Sequence, residues 1–204
     1  MDEKDTAKQR IINVTIELIC QGKKPSEITV SDITEKAGVG NGMVNYHFQS
    51  KDNLLRTTVK RVMVCAKNAL REKLKTYEKI LAKERLVVIL KQTTDLFADN
   101  PEICKIAILD NLSNADETLH LLSDVEEFND CLKEIYNNDK HKIWIKNYII
   151  ASFFNYIFLK ADAIKKETGF DFYNKNQRDE AIDSFINDLL SCFNTENKEK
   201  LNCD

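Results

Sequence analysis

The chain has 204 residues, of which 43% are hydrophobic and 31% charged, and its formal net charge at pH 7 is −3. This composition is ordinary for a globular protein. The small net charge excludes a protein that binds polyanions along its whole length. Five glycines and two prolines punctuate the sequence, and no glycine lies between Met43 and Thr168. An all-β fold needs a turn residue about every 8–12 residues, so this distribution excludes an all-β fold. Together with the helical spacing of apolar residues described below, it predicts an all-α fold.

The six cysteines lie far apart in the sequence, without a C-x-x-C pair and without a histidine at metal-ligand spacing. The first residues contain no apolar stretch of the kind that directs secretion. Widely spaced thiols without such a stretch indicate reduced, mostly buried cysteines in a cytoplasmic protein, and no metal or cofactor is expected. A redox-sensing thiol is the alternative interpretation.

Three short elements open the chain. Apolar residues at helical spacing predict a first helix over residues 5–22. Thr29 and Asp32 form a T-x-x-D start signal for a short second helix, which Gly38 ends. Residues 41–48 follow after a three-residue turn. Two short helices joined by a glycine-containing turn are typical of a helix-turn-helix, whose second helix is free to enter a major groove of DNA.

The pattern of apolar residues predicts longer helices in the rest of the chain. Ser50 caps a helix that extends to about residue 74, and polar breaks separate further helices near residues 78–98, 101–113, 116–138, 141–167 and 177–193. The expected core of the first region is formed by Ile12, Ile16, Ile33, Val39, Val44, Phe48 and Leu55. Residues 1–65 carry 10 Lys and Arg against 8 Asp and Glu, whereas the remainder carries 20 against 25. That asymmetry has the sign of a nucleic-acid-binding head on an acidic body.

The run from Thr29 to Leu55 resembles the DNA-binding head of the TetR family of transcriptional regulators. The match rests on Ala37-Gly38-Val39, Gly42, Tyr46-His47-Phe48, Ser50-Lys51 and Leu54-Leu55. The resemblance implies a DNA-binding domain over residues 1–50, and a helical domain for ligand binding and dimerisation over residues 51–204, which the helix from residue 51 joins to the head. It also implies a homodimer on a pseudo-palindromic operator in double-stranded DNA, with a possible small-molecule effector.

The resemblance further implies which residues contact DNA. The expected phosphate contacts are Thr29, Tyr46, His47 and Lys51. The residues expected to face base edges are Asn41, Gly42, Met43 and Asn45, and Ser31 completes the expected DNA-binding set. Asparagine can pair with adenine, and methionine can contact a thymine methyl group. The family commonly has other residues at Gly40, Asn41, Met43 and Asn45, so the resemblance does not give the operator sequence.

The segment from Ile143 to Ile164 is apolar on nearly every side, which predicts burial against both its own body and a partner subunit. Polar residues such as Lys146 and Lys160 interrupt it, so no membrane span is expected. The expected dimer interface comprises Ile149, Phe153, Ile157, Ile182, Phe185, Ile186, Leu189 and Phe193. The resemblance also implies an effector cavity among the central helices, and ordinary core packing is an equally open interpretation for each candidate residue. The candidates are Phe97, Ile108, Phe128, Trp144, Tyr148 and Tyr156.

These observations favour a sequence-specific DNA-binding regulator, a dimeric repressor that a small-molecule effector releases from its operator. The alternatives are an all-helical protein-interaction module, and a regulator of the same fold that acts as an activator or a thiol-based sensor. The sequence contains none of the common hydrolase, P-loop, metalloprotease or dinucleotide-binding motifs, so no enzyme is expected.

Overall fold

The computed structural model describes residues 3–77, 79–113 and 126–191. Over these ranges the chain is helical and has no strand, which confirms the predicted all-α fold. The α-helices of the described residues are α1 Glu3–Cys20, α2 Val30–Ala37, α3 Gly42–Phe48, α4 Lys51–Leu74, α5 Ala82–Asp99, α6 Pro101–Ser113, α7 Glu126–Ile135, α8 Lys140–Thr168 and α9 Lys175–Ser191. A short 3-10 helix, Lys75–Tyr77, follows α4. Part of the helix predicted near residues 116–138 lies outside the described residues.

The helices form two compact units. The first unit contains α1, α2, α3, α6 and α4 as far as Lys73, and the second contains α5, α7, α8 and α9. In the first unit the predicted core is confirmed: Ile12, Ile33, Val44, Phe48 and Leu55 are buried together, with Ile16 and Val39 packed at the edge. Ile103 of α6 joins the same core, so α6 packs with the helix-turn-helix.

The second unit is built around aromatic side chains. Phe97 of α5 and Phe158 of α8 meet edge to face with their ring centroids 5.1 Å apart. Phe128 of α7 and Phe154 of α8 are also buried. Such pairs add to the burial of apolar area that stabilises a helical core.

Two buried, positively charged side chains connect α9 to the rest of the second unit. Arg178 is 3% exposed, and its guanidinium binds the Asp95 carboxylate and donates to the carbonyl of Phe172 at 2.8 Å. Lys146 of α8 is likewise 3% exposed, and its Nζ donates to the carbonyl of Leu189 at 2.9 Å. That carbonyl lies in the last turn of α9, where the helix dipole and carbonyls without helical partners favour a cation.

The ends of the helices follow local chemistry. Ser50 Oγ accepts a hydrogen bond from the Asn53 amide at 3.1 Å, which confirms the predicted start of α4. Asp139 caps α8 by accepting from the amides of His141 and Lys142. Across the ranges that the structure describes, none of the helices combines the length and apolar character that crossing a membrane requires.

Candidate nucleic-acid interface

Thr29 and Asp32 start α2 through a reciprocal pair of hydrogen bonds. The Asp32 amide donates to Thr29 Oγ1 at 3.0 Å, and the Thr29 amide donates to Asp32 Oδ2 at 3.0 Å. This capping box satisfies two amides that the helix leaves without partners, as the T-x-x-D signal predicts. Hydrogen bonds from the Thr29 backbone and side chain hold the pKa of Asp32 below its ordinary value. Thr29 is exposed beside this cap, and so is Ser31 in the first turn of α2.

The turn between α2 and α3 depends on Gly38. Its φ of 63° places it in the left-handed region, which glycine adopts without steric cost. The Gly38 amide donates to the Glu35 carbonyl, and the Val39 amide donates to the Thr34 carbonyl at 3.0 Å. These bonds close the end of α2 in the manner of a helix C-cap. The chain is thereby redirected over four residues, Gly38 to Asn41, into α3, one more than the predicted three-residue turn.

α3 presents one side to the core and the other to solvent. Val44 and Phe48 are buried in the core of the first unit. Asn41, Gly42 and Asn45 are exposed, Tyr46 is 62% exposed, and Met43 and His47 are partly buried. The structure therefore brings the predicted base-facing residues together at one helix. Because the buried and exposed residues segregate, the exposed side is available for a DNA groove.

Tyr46 and His47 form a small aromatic cluster at the end of α3. Their rings meet edge to face with centroids 4.9 Å apart. The Nε2 atom of His47 is buried, and no group of the described residues hydrogen-bonds to it. A buried ring nitrogen without a partner is uncommon in native proteins. Because this atom is shielded from solvent, it does not test the phosphate contact of His47, which stays a prediction.

Lys51 has partners within the protein. Its Nζ donates to the carbonyls of Pro25 and Ile28, at 3.2 and 3.0 Å. Both carbonyls belong to the loop that leads from α1 to Thr29. The ammonium group has three donors, so one can still reach a DNA phosphate. Lys51 therefore holds the loop beside the expected phosphate contacts, a role that the sequence did not predict.

The side chain of Asn41 turns toward α2. The Thr34 hydroxyl donates to Asn41 Oδ1 at 2.5 Å, and Thr34 itself is 1% exposed. Asn41 occupies the N-cap position of α3, but no side-chain capping bond is found there among the described residues. Half of the amide group is thus engaged inside the protein. Nothing in the sequence pattern singled out Thr34.

Residues 11–58 match the sequence model of the tetR family of bacterial regulatory proteins, the region that contains α2, α3 and their turn. The match confirms the resemblance for this region, which is the DNA-binding part of tetR-family regulators. No curated protein sequence matches the chain.

Solved structures share the fold of this chain. The transcriptional regulator FadR from Bacillus subtilis, in complex with stearoyl-CoA, is 17% identical with a TM-score of 0.53 over 90% of this chain and 95% of that chain. The fatty acid degradation regulator FadR from Bacillus halodurans is 16% identical with a TM-score of 0.57 over 93% of this chain and 96% of that chain. At these identities the likeness concerns the fold.

The residues predicted to line an effector cavity do not share one environment. Phe97 and Phe128 are buried in the second unit, and Ile108 is buried in the first. The three aromatic residues from α8 lie at the surface: Trp144 is 56% exposed, Tyr148 41% and Tyr156 64%. The effector cavity stays a prediction, and Phe97 and Phe128 are the two of its residues that are buried together in the second unit.

The predicted dimer residues also divide by burial. Ile157, Ile182 and Ile186 are buried within the second unit, because the inner faces of α8 and α9 form its own core. Phe153 and Phe185 stack on each other at 4.0 Å between ring centroids and are partly exposed, as is Leu189. Ile149 is 40% exposed. Phe193 lies outside the described residues.

Proposed function

We propose that this protein is a homodimeric repressor acting in the cytoplasm. It binds a pseudo-palindromic operator through α3, and it dissociates from the operator when a small molecule binds the helical domain of residues 51–204. The exposed side of α3 on a packed helix-turn-helix carries the proposal. The proposed phosphate contacts are Thr29, Ser31, Tyr46, His47 and Lys51, and the proposed base contacts are Asn41, Gly42, Met43 and Asn45. The protein carries out no catalysis in this role.

A symmetric dimer is supported by the exposed stripe of α8, which we define as Trp144, Tyr148, Ile149 and Tyr156. All four side chains are at least 40% exposed. The rings of Trp144 and Tyr148 meet with centroids 5.3 Å apart, and exposed apolar side chains grouped on a surface are typical of an interaction site. A second copy is the proposed occupant, because two-fold symmetry places a second α3 on the other half of a palindromic site.

The dimer is tested with Tyr156→Glu, which places a charge in the stripe. The matched control is Leu81→Glu, because Leu81 is an equally exposed apolar residue, at 71%, outside α8. We expect sedimentation at micromolar concentration to show a dimer for the wild type and the control, and a monomer for Tyr156→Glu. A dimeric Tyr156→Glu variant would remove the stripe from the interface.

DNA binding is tested by fluorescence anisotropy with duplexes from the region upstream of the protein's own gene. We expect the logarithm of the binding constant to fall steeply with the logarithm of salt concentration, because phosphate contacts release counterions. Asn45→Ala should change the preference at one base pair in each half-site without changing this salt slope. Failure to bind any duplex at low salt would favour the protein-interaction module.

An acyl-CoA is the first effector to test, because the regulator from Bacillus subtilis, which shares the fold, is in complex with stearoyl-CoA. A molecule that binds more tightly to the DNA-free arrangement of the dimer shifts the population away from the operator. We expect stearoyl-CoA to lower the anisotropy of a bound duplex, whereas free CoA serves as the control. An unchanged operator affinity in saturating stearoyl-CoA would exclude this effector.

A further inference from the structure

The hydroxyl of Thr34 lies near three acceptors inside the first unit. Asn41 Oδ1 is the nearest at 2.5 Å, and the carbonyls of Val30 and Ser31 are 3.0 and 3.3 Å away. A hydroxyl has one proton to donate, and both carbonyls are on α2 itself. The shortest contact therefore engages the Asn41 oxygen, and it joins the buried Thr34 to an exposed residue.

The engaged oxygen changes what Asn41 can offer to a ligand. A free asparagine amide presents an acceptor and two donors, which suit adenine because that base shows an acceptor and a donor in the major groove. In this protein the oxygen already accepts from Thr34, so the outward part of the amide is the Nδ2 group. Guanine presents two acceptors, N7 and O6, and no donor at its major-groove edge.

We propose that Thr34 is a positioning residue that makes Asn41 a donor and thereby selects guanine over adenine in each half-site. The inference rests on the proposed binding of α3 in the major groove. It goes beyond that function because it assigns base preference to a buried residue that does not touch DNA. Adenine is disfavoured because its N6 amino group would face the Nδ2 donors of Asn41 without an acceptor between them.

The test is selection of binding sites from a duplex library with a randomised centre, followed by sequencing. The proteins are the wild type, Thr34→Val, Thr34→Ser and Asn41→Ala. Thr34→Val removes the hydroxyl at nearly constant volume, and Thr34→Ser retains it as the matched control. We expect the wild type and Thr34→Ser to select guanine over adenine at one position by about 5-fold or more, the lower bound for a good base contact. Thr34→Val should narrow or reverse that preference, and Asn41→Ala should abolish it.

An adenine or cytosine preference at the Asn41-dependent position would overturn the proposal, because it would mean that the amide oxygen faces the base. Identical selected sites for the wild type and Thr34→Val would overturn it as well. A uniform loss of affinity in Asn41→Ala, without a change of sequence, would place the amide on a phosphate and also refute it. If Thr34→Val does not fold, the Asn41→Ala comparison still keeps the proposal falsifiable, because it tests whether Asn41 selects guanine over adenine. Failure of the proposed function is distinct, since the wild type would then select no sequence.

Discussion

Lys51→Met separates the two roles of the Lys51 ammonium group. Methionine keeps most of the apolar stem and removes the donors to the carbonyls of Pro25 and Ile28. A hydrogen bond from a charged donor contributes about 1.5–3 kcal/mol net when it is well shielded. Lys51 is only partly buried, so water replaces some of this interaction. We expect the free energy of unfolding to fall by about 2 kcal/mol in total.

The measurement is urea unfolding followed by circular dichroism, with Lys83→Met as the control because Lys83 is exposed on α5. Lys51→Met should also weaken binding to all duplexes alike and reduce the magnitude of the salt slope by about one, as the loss of one phosphate contact does. Anisotropy at several salt concentrations gives that slope. Unchanged stability would refute the structural role of Lys51, and an unchanged salt slope would refute its contact with phosphate.

Three further predictions concern single residues. Gly38→Ala should lower the free energy of unfolding by about 1 kcal/mol, measured by a thermal melt, because the φ of Gly38 is positive. Gly40→Ala is the control and should leave stability almost unchanged. The φ of Gly40 is not positive, and an added Cβ would meet no described atom within 4 Å. The pKa of Asp32 is lowered in the fold, so its carboxylate contributes its full stabilisation at pH values above the ordinary pKa of 3.8. The contribution is lost as the pH falls through the lowered pKa. The stability difference between the wild type and Asp32→Asn should therefore shrink between pH 6 and pH 3, and a constant difference would contradict the capping role. Burial raises the pKa of the Cys104 thiol to about 12, so alkylation at pH 8 mapped by mass spectrometry should label the exposed Cys20 well before Cys104.

Most of the helix-turn-helix could be predicted because its signals are local. The capping residues of α2 lie three positions apart, and the glycine that ends α2 directly follows its last residue. Apolar spacing then predicted which residues meet in the core, and the burial of Ile33, Val44 and Phe48 confirms it. The exposed residues of α3 follow from the same periodicity, since whatever does not face the core faces solvent.

The sequence determined less about α8, because periodicity cannot say what covers an apolar helix. Its sequence is apolar on nearly every side, yet the described chain covers only part of it, and Trp144 and Tyr156 remain more than half exposed. The three aromatic residues of α8 assigned to a cavity are at the surface of the described chain. Ile157, assigned to a partner subunit, is instead buried in its own unit.

The sequence by itself determined the helical class, the helix-turn-helix and the face of α3 that meets solvent, because each depends on residues within a turn or two of one another. Only the tertiary structure decided which polar groups are engaged inside the protein. Lys146 binds a carbonyl 43 residues away, and Arg178 binds a carboxylate 83 residues away. A charged side chain is buried only where the fold places a hydrogen-bonding or oppositely charged partner beside it, and a local sequence pattern does not identify a partner so distant in the chain.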